Sequence, residues 1–331
     1  RSNVGIDPRS DLGIDPRSQP GSGLRPESPA GSRAAPMLGS RTQLAAEGPA
    51  APPVDATAGV PALFHAILDA GRPELAMNLL ISASAAPLAE RAVRAPDPIP
   101  LAGGGGGEGD DGPVLVCLPS YGPFPDLEFL AFARAAGTAV TVVPLPGFAS
   151  LGARPDSLEE VTAVLAGRAT EAAGERPFVL VGRSSGGHLA HLIAERLERD
   201  GNPAAGLVLL DTYENDHNHD ELRANLVATG LTRMRARLDP DAERTLMLAA
   251  GTYVRLLHHW HPGPLTTPSL LVAAADPLPG LPGSWRATRS VPHTRVEVPG
   301  DHFSMLNVHA RTTAEAVRTW LKLTPRSRPS R

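Results

Sequence analysis

Phe178-Val179-Leu180-Val181-Gly182-Arg183-Ser184-Ser185-Gly186-Gly187 runs directly into His188-Leu189-Ala190-His191-Leu192-Ile193-Ala194. The first stretch begins as an apolar run rich in β-branched residues and reads as a buried strand; the second reads as a helix. Between them stands Gly-x-Ser-x-Gly. Strand, sharp turn and helix in that order lift one hydroxyl, that of Ser184, onto the tip of a strained elbow. Gly182 and Gly186 answer to crowding, because strand and helix approach too closely at such a turn to leave room for a Cβ.

Working outward, the same alternation continues from Pro113 onward. Apolar strand candidates cover 114–118, 139–143, 178–181, 207–210, 269–273 and 294–298, with helices predicted at about 126–136, 157–173, 186–199 and 311–322. Ser157 and Glu160 form a capping-box pair opening the second helix. Near-continuous apolar strands separated by helices imply an α/β chain with a mostly parallel central sheet, covered by helices on both faces. One interval breaks the rhythm. Between about 215 and 265 only helical periodicity appears, as in Leu222, Leu226 and Val227, then Leu246, Met247 and Leu248. Such an insertion after a strand reads as a lid over the strand ends.

Ahead of the main domain, residues 1–60 contain no aromatic side chain, are rich in Pro, Gly, Ser and Ala, and show no period. An eight-residue echo, Arg1–Pro8 then Arg9–Pro16, is too short and polar to bury a core. The segment reads as a flexible linker, either a tether or a cloning scar, and Arg1 in first place points to a piece of a longer polypeptide. A helix pair is predicted at 61–85: Leu63, Phe64, Ile67 and Leu68 make one apolar face, Gly71-Arg72-Pro73 punctuates, and Leu75, Leu79 and Leu80 make the second. Pairs this apolar must pack, on the domain body or on a second subunit, and the residues leave both open. Gly103–Gly107 is a loop, since no Gly-Lys-Ser/Thr follows. A core domain of 61–323 is expected, with 324–331 as a C-terminal tail.

The chain has 331 residues and a formal net charge of -4, which points to no nucleic-acid or anionic-membrane partner. No run reaches the ~18 apolar residues of a membrane span, and no secretory leader opens the sequence, so a cytoplasmic location is expected. Cys117 is the single cysteine, which excludes an internal disulfide and a cysteine-based zinc site. Its apolar run reads as strand, and its thiol as buried.

A serine hydroxyl needs a base to take its proton, and the base needs a third group to hold it. Asp211 ends the strand at 207–210, at the edge where parallel sheets bind ligands. His302 follows the strand at 294–298, in the loop Pro299-Gly300-Asp301-His302-Phe303. The order Ser184, Asp211, His302 is that of α/β-hydrolases. Of the eleven histidines, His302 has the loop position the chemistry needs. Asp216-His217-Asn218-His219-Asp220 lacks the helical spacing of zinc-hydrolase motifs. His258, His259 and His261 flank Trp260 and suit a rim, while His188 and His191 face neighbours or solvent. For the acid, Asp211 is favoured and Asp276, which also follows a strand, stays open; Asp301 is a weaker third. Backbone N–H groups for an oxyanion are expected at Ser185 and in the turn after the first strand, at Tyr121 or Gly122.

At these residues the chain resembles the terminal thioesterase domains of modular type I polyketide synthases, which belong to the α/β-hydrolase superfamily. The likeness covers roughly 60–323. It rests on Val116-Cys117-Leu118-Pro119-Ser120, Pro144-Leu145-Pro146-Gly147-Phe148, the elbow, Leu209-Leu210-Asp211-Thr212-Tyr213, the region of Trp260-His261-Pro262, and Val298-Pro299-Gly300-Asp301-His302-Phe303. The resemblance implies release of a polyketide chain from an acyl carrier protein through an acyl-enzyme on Ser184, by macrolactonisation or hydrolysis. It implies Asp211 as the acid, and a substrate chamber to which Tyr213, Trp260 and Phe303 are assigned. No metal or cofactor is called for, since the substrate arrives on a phosphopantetheine arm. The implied partners are an upstream acyl carrier domain and a second copy of the chain, paired through 61–85. One departure stands out: such domains usually carry His before the nucleophile, where this chain has Arg183, expected to lie under the elbow and to alter packing and charge. A discrete editing thioesterase or esterase of the same fold is a competing reading, against which the Pro-rich leader and the helix pair count. An inactive hydrolase fold used for docking is another, against which the intact serine, acid and histidine count.

Overall fold

The computed structural model describes residues 57–86, 93–101, 112–150, 153–214, 220–278 and 285–324, all within one compact unit, Val54–Arg331. The linker read at 1–60, the glycine loop at 103–107 and the tail at 324–331 fall almost wholly outside these residues.

Among the described residues seven strands make one sheet: β1 (Ile99–Leu101), β2 (Val114–Leu118), β3 (Val140–Val142), β4 (Phe178–Arg183), β5 (Gly206–Leu210), β6 (Ser269–Ala274) and β7 (Thr294–Val298). Their spatial order is β1-β3-β2-β4-β5-β6-β7. Every pairing is parallel except β1 with β3. β1 is the strand that periodicity does not reveal. It has three residues with Pro100 at its centre, and a residue that cannot donate to a ladder is tolerated at a sheet edge.

Alternation along β2 explains the layers. Val114, Val116 and Leu118 point into one core, with Leu165 and Val161 of α4 (Leu158–Ala173) and Leu189 and Ile193 of α5 (Ser185–Arg199). Leu115 and Cys117 point into the other, with Phe129 and Phe132 of α3 (Pro125–Ala136) and Val317 and Trp320 of α8 (Ala310–Leu323). Cys117 is fully buried there, and burial pushes its thiol pKa well up. Ser157 Oγ accepts the Glu160 N–H at 3.1 Å and caps α4. The Glu160 carboxylate accepts from Asp156 N–H instead of returning to Ser157, so the expected box closes one residue early.

The expected helix pair is α1 (Val60–Asp69) and α2 (Pro73–Ser84), and the 215–265 insertion contains α6 (Asp220–Arg235) and α7 (Pro240–Leu257). The pair packs on the chain's own insertion: α2 lies against α6 and α7, and α1 against α2 and α7. Phe64 and Leu80 are fully buried in that contact region. His65 on α1 bonds to Glu243 on α7 at 2.8 Å, and buried Arg154 donates to the Ser84 carbonyl at the end of α2. So the insertion is a packed layer, with a crevice beneath it.

That crevice lies where the strand order reverses. β3 lies to one side of β2 and β4 to the other, and parallel sheets bind ligands at such a reversal, outside the carboxyl ends of the strands. The loops leaving β2, β4 and β5 all open there.

Candidate active site

Ser184 occupies a backbone conformation that side chains rarely adopt, φ 53° and ψ -124°. Such strain persists only where the surroundings over-determine it. Here a Cβ on Gly182 would collide with the Gly187 Cα and the Gly186 carbonyl, and one on Gly186 with the carbonyls of Leu118 and Pro119. Strand, turn and helix are thus locked together, and the hydroxyl stands at the first turn of α5. The next residue, Ser185, opens that helix, where backbone N–H groups have no intrahelical acceptor.

His302 and Asp211 come together. The carboxylate Oδ2 lies 2.8 Å from His302 Nδ1, both residues being about 1–2% exposed. A carboxylate only accepts, so Nδ1 carries the proton and Nε2 offers a lone pair. The other oxygen, Oδ1, accepts the Ala274 N–H at 2.9 Å, which fixes the carboxylate on the end of β6. Burial lowers the pKa of His302; Asp211 opposes this, and the Arg183 charge adds to it. Asp276, by contrast, is exposed at the surface. Asp301 receives N–H groups from Phe303 and Ser304, and so shapes the histidine loop from within.

Two cavities meet at Ser184. The larger, about 320 Å³, is lined by Ser184, His302, Glu128, Arg183, Phe303 and Arg233, among others. Tyr121 and Gly122 line it too, the turn being held by the Tyr121 ring, which stacks on Phe148 and leans on Tyr253. The Arg233 guanidinium lies 4.0 Å from the centre of the Phe303 ring. The smaller, about 60 Å³, is lined by Ser184, His188, Tyr213, Val254 and Trp285. His188, bonded to the Tyr213 carbonyl at 2.8 Å, has its pKa lowered to about 4, mainly by burial.

Two expectations need amending. Trp260 lines neither cavity; its ring packs against His188 and His191, behind the wall. Trp285 takes the place instead, stacked on Tyr213 with ring centres 4.2 Å apart. It sits in a Pro- and Gly-rich stretch without period, so its lone aromatic ring is the one signal the sequence offers. Arg183 is buried beside the elbow as expected, but it also lines the larger cavity and bonds to Glu128 and to the His302 carbonyl. The Asp216–Asp220 run lies outside the described residues save for the backbone of Asp220.

Comparison with known proteins gives the family. Residues 113–321 match the family described as "Thioesterase domain". The chain belongs to that family. This thioesterase domain is 41% identical over 270 residues to the polyketide synthase GfsE of Streptomyces halstedii, covering 78% of this chain and 7% of that protein. It is 37% identical over 221 residues to the erythronolide synthase EryA3 of Saccharopolyspora erythraea, covering 64% of this chain and 7% of that one. The thioesterase domain therefore spans less than a tenth of these relatives. Among solved structures it resembles the NocB thioesterase domain from the nocardicin cluster, at 22% identity and TM-score 0.50, covering 64% of this chain and 94% of that one; this likeness speaks for the fold alone. The mostly parallel sheet with helices on both faces is the α/β-hydrolase fold of these thioesterases. Among the described residues no helix is long and apolar enough to cross a membrane.

Proposed function

We propose that this thioesterase domain releases a polyketide chain from an acyl carrier protein, through an acyl-enzyme on Ser184 that resolves by macrolactonisation or hydrolysis. Ser184 Oγ attacks the thioester carbonyl while His302 Nε2 takes its proton. Backbone N–H groups of Ser185 and of the Tyr121–Gly122 turn hold the tetrahedral oxyanion, a contribution commonly worth about 10²–10³ in rate per donor. The C–S bond breaks, and the thiol of the phosphopantetheine arm leaves with the proton from His302. A hydroxyl of the chain, or water, then gives its proton to His302 and attacks the ester. The bond to Ser184 breaks, and His302 returns the proton to Oγ. Asp211 holds the imidazole in the tautomer that both half-reactions need.

One observation carries the reading: the buried 2.8 Å contact between Asp211 and His302, in a loop lining the same cavity as the strained Ser184. The larger cavity, with Arg233 and Arg183 on its wall, suits the arriving arm; the aromatic pair Tyr213 and Trp285 suits the acyl chain. A fluorophosphonate should add one adduct at Ser184, detected by mass spectrometry of its peptide. Ser184→Ala should lose both the adduct and turnover of a carrier-bound or N-acetylcysteamine thioester. Turnover that survives in that variant overturns the scheme. A product lighter than the free acid by one water identifies ring closure.

A further inference from the structure

Arg183 sits where the elbow, the histidine loop and the turn after β2 meet. Its Nη1 lies 2.7 Å from Glu128 Oε1 and 3.1 Å from Ser120 Oγ, and its Nη2 donates to the His302 carbonyl at 2.8 Å. Glu128, on α3, also accepts from Ser120, taking the hydroxyl at 2.8 Å and the backbone N–H at 3.1 Å. Both ionic side chains are largely withdrawn from solvent, 8% and 14% exposed. Ser120 directly precedes the Tyr121–Gly122 turn, and Arg183 directly precedes Ser184. One buried ion pair therefore ties together the nucleophile's elbow, the backbone of the histidine loop and the turn expected to hold the oxyanion.

We propose that Arg183 and Glu128 form a positioning brace. It fixes the histidine loop and the oxyanion turn against the elbow, and it balances two opposite charges beside the imidazole. The inference rests on the acyl-enzyme reading for its kinetic consequences, though the brace itself is a matter of geometry. A charge pair suits this task better than apolar packing, because a guanidinium fork reaches several acceptors in fixed directions. The electrostatic part follows from Coulomb's law. Arg183⁺ disfavours the imidazolium and Glu128⁻ favours it, the guanidinium acting more strongly. The other charged or titratable groups around the ring are Asp211 from the end of β5, Tyr213 beyond it, Arg233 from α6 over Phe303, and Asp301 in the same loop.

The test compares Arg183→Met, Glu128→Gln, the two combined, and Arg183→Lys. Readouts are hydrolysis of a butyryl N-acetylcysteamine thioester between pH 5 and 9, and the His302 titration followed by ¹³C-histidine NMR. Each single neutral variant should lose about 10²-fold in kcat with little change in KM, the scale of a displaced catalytic group. The two should move the His302 titration in opposite directions. Arg183→Met leaves Glu128⁻ alone and raises the pKa; Glu128→Gln leaves Arg183⁺ alone and lowers it. The double variant should return the midpoint towards wild type without recovering the rate. Arg183→Lys keeps the charge but not the fork, so it should keep the midpoint and regain part of the rate. Should Arg183→Met fail to fold, the isosteric Glu128→Gln carries the test. Folded variants with wild-type kcat, or midpoints that move the same way in both single variants, overturn the brace. A wild-type protein that neither turns over the thioester nor labels at Ser184 overturns the acyl-enzyme reading instead, and the opposed NMR shifts would still report on the brace.

Discussion

Burial works against the protonated form of His302, with Arg183 adding to the effect and Asp211 opposing it, and the outcome is a pKa below the ordinary 6.5. A base must be unprotonated to act. kcat/KM for a soluble thioester should therefore rise with an acid-limb midpoint below 6.5 and be flat from neutral pH towards pH 8. A midpoint above 7 would contradict the buried, neutral imidazole. The two acids that follow strands are separated by distance: Asp211 Oδ2 touches the ring at 2.8 Å, and Asp276 is exposed. Asp211→Asn puts an amide where a carboxylate stood and favours the wrong imidazole tautomer, which should cost on the order of 10⁴-fold in kcat. Asp276→Asn should leave kcat near wild type. Equal losses in both variants would unseat the assignment of Asp211 as the orienting acid.

The elements that hold these residues owe their precision to close backbone contacts, and α2 against α7 is the clearest case. A Cβ on Gly251 of α7 would run into the Leu80 carbonyl of α2, and the Leu80 side chain is fully buried. Leu80→Ala should destabilise by about 2–5 kcal/mol through the cavity it leaves. Gly251→Ala should destabilise by about 1–3 kcal/mol through overpacking. Denaturant midpoints check both, and a neutral Gly251→Ala would show that the two helices can move apart at little cost. The inner parallel strands β2, β4, β5 and β6 were legible as sequence because burial on both faces makes each a near-continuous apolar run, and the elbow because its glycines stand at fixed offsets from Ser184. β1 was not: three residues around a proline carry no period. Two site features also escaped. Trp285 has no patterned neighbours, and the choice of Trp260 followed a resemblance in sequence where the deciding fact is which ring faces the cavity. The reach of Arg183 depends on Glu128, fifty-five positions away, and such a partner is visible only once the chain has folded the two together.

For the whole molecule, the helix pair buries one face against its own domain and leaves apolar surface over. Phe64 and Leu80 are fully buried, while Leu63 is 52% and Leu75 40% exposed, with Ile67 and Leu79 half-buried beside them. A single exposed leucine is ordinary. Apolar side chains on both faces of two successive helices are less so, and contiguous apolar patches mark interaction surfaces. If the chain pairs through 61–85, as the resemblance leads one to expect, a two-fold axis would set the same leucines of each protomer against its partner. Light scattering at tens of micromolar should then report twice 34.5 kDa, and Leu63→Glu with Leu75→Glu should report a single chain. The charged variant should keep its turnover of a soluble thioester, since neither leucine lines the cavities at Ser184. A wild-type protein that runs as one chain under those conditions removes the pairing, and with it the reason for the two leucines to be apolar.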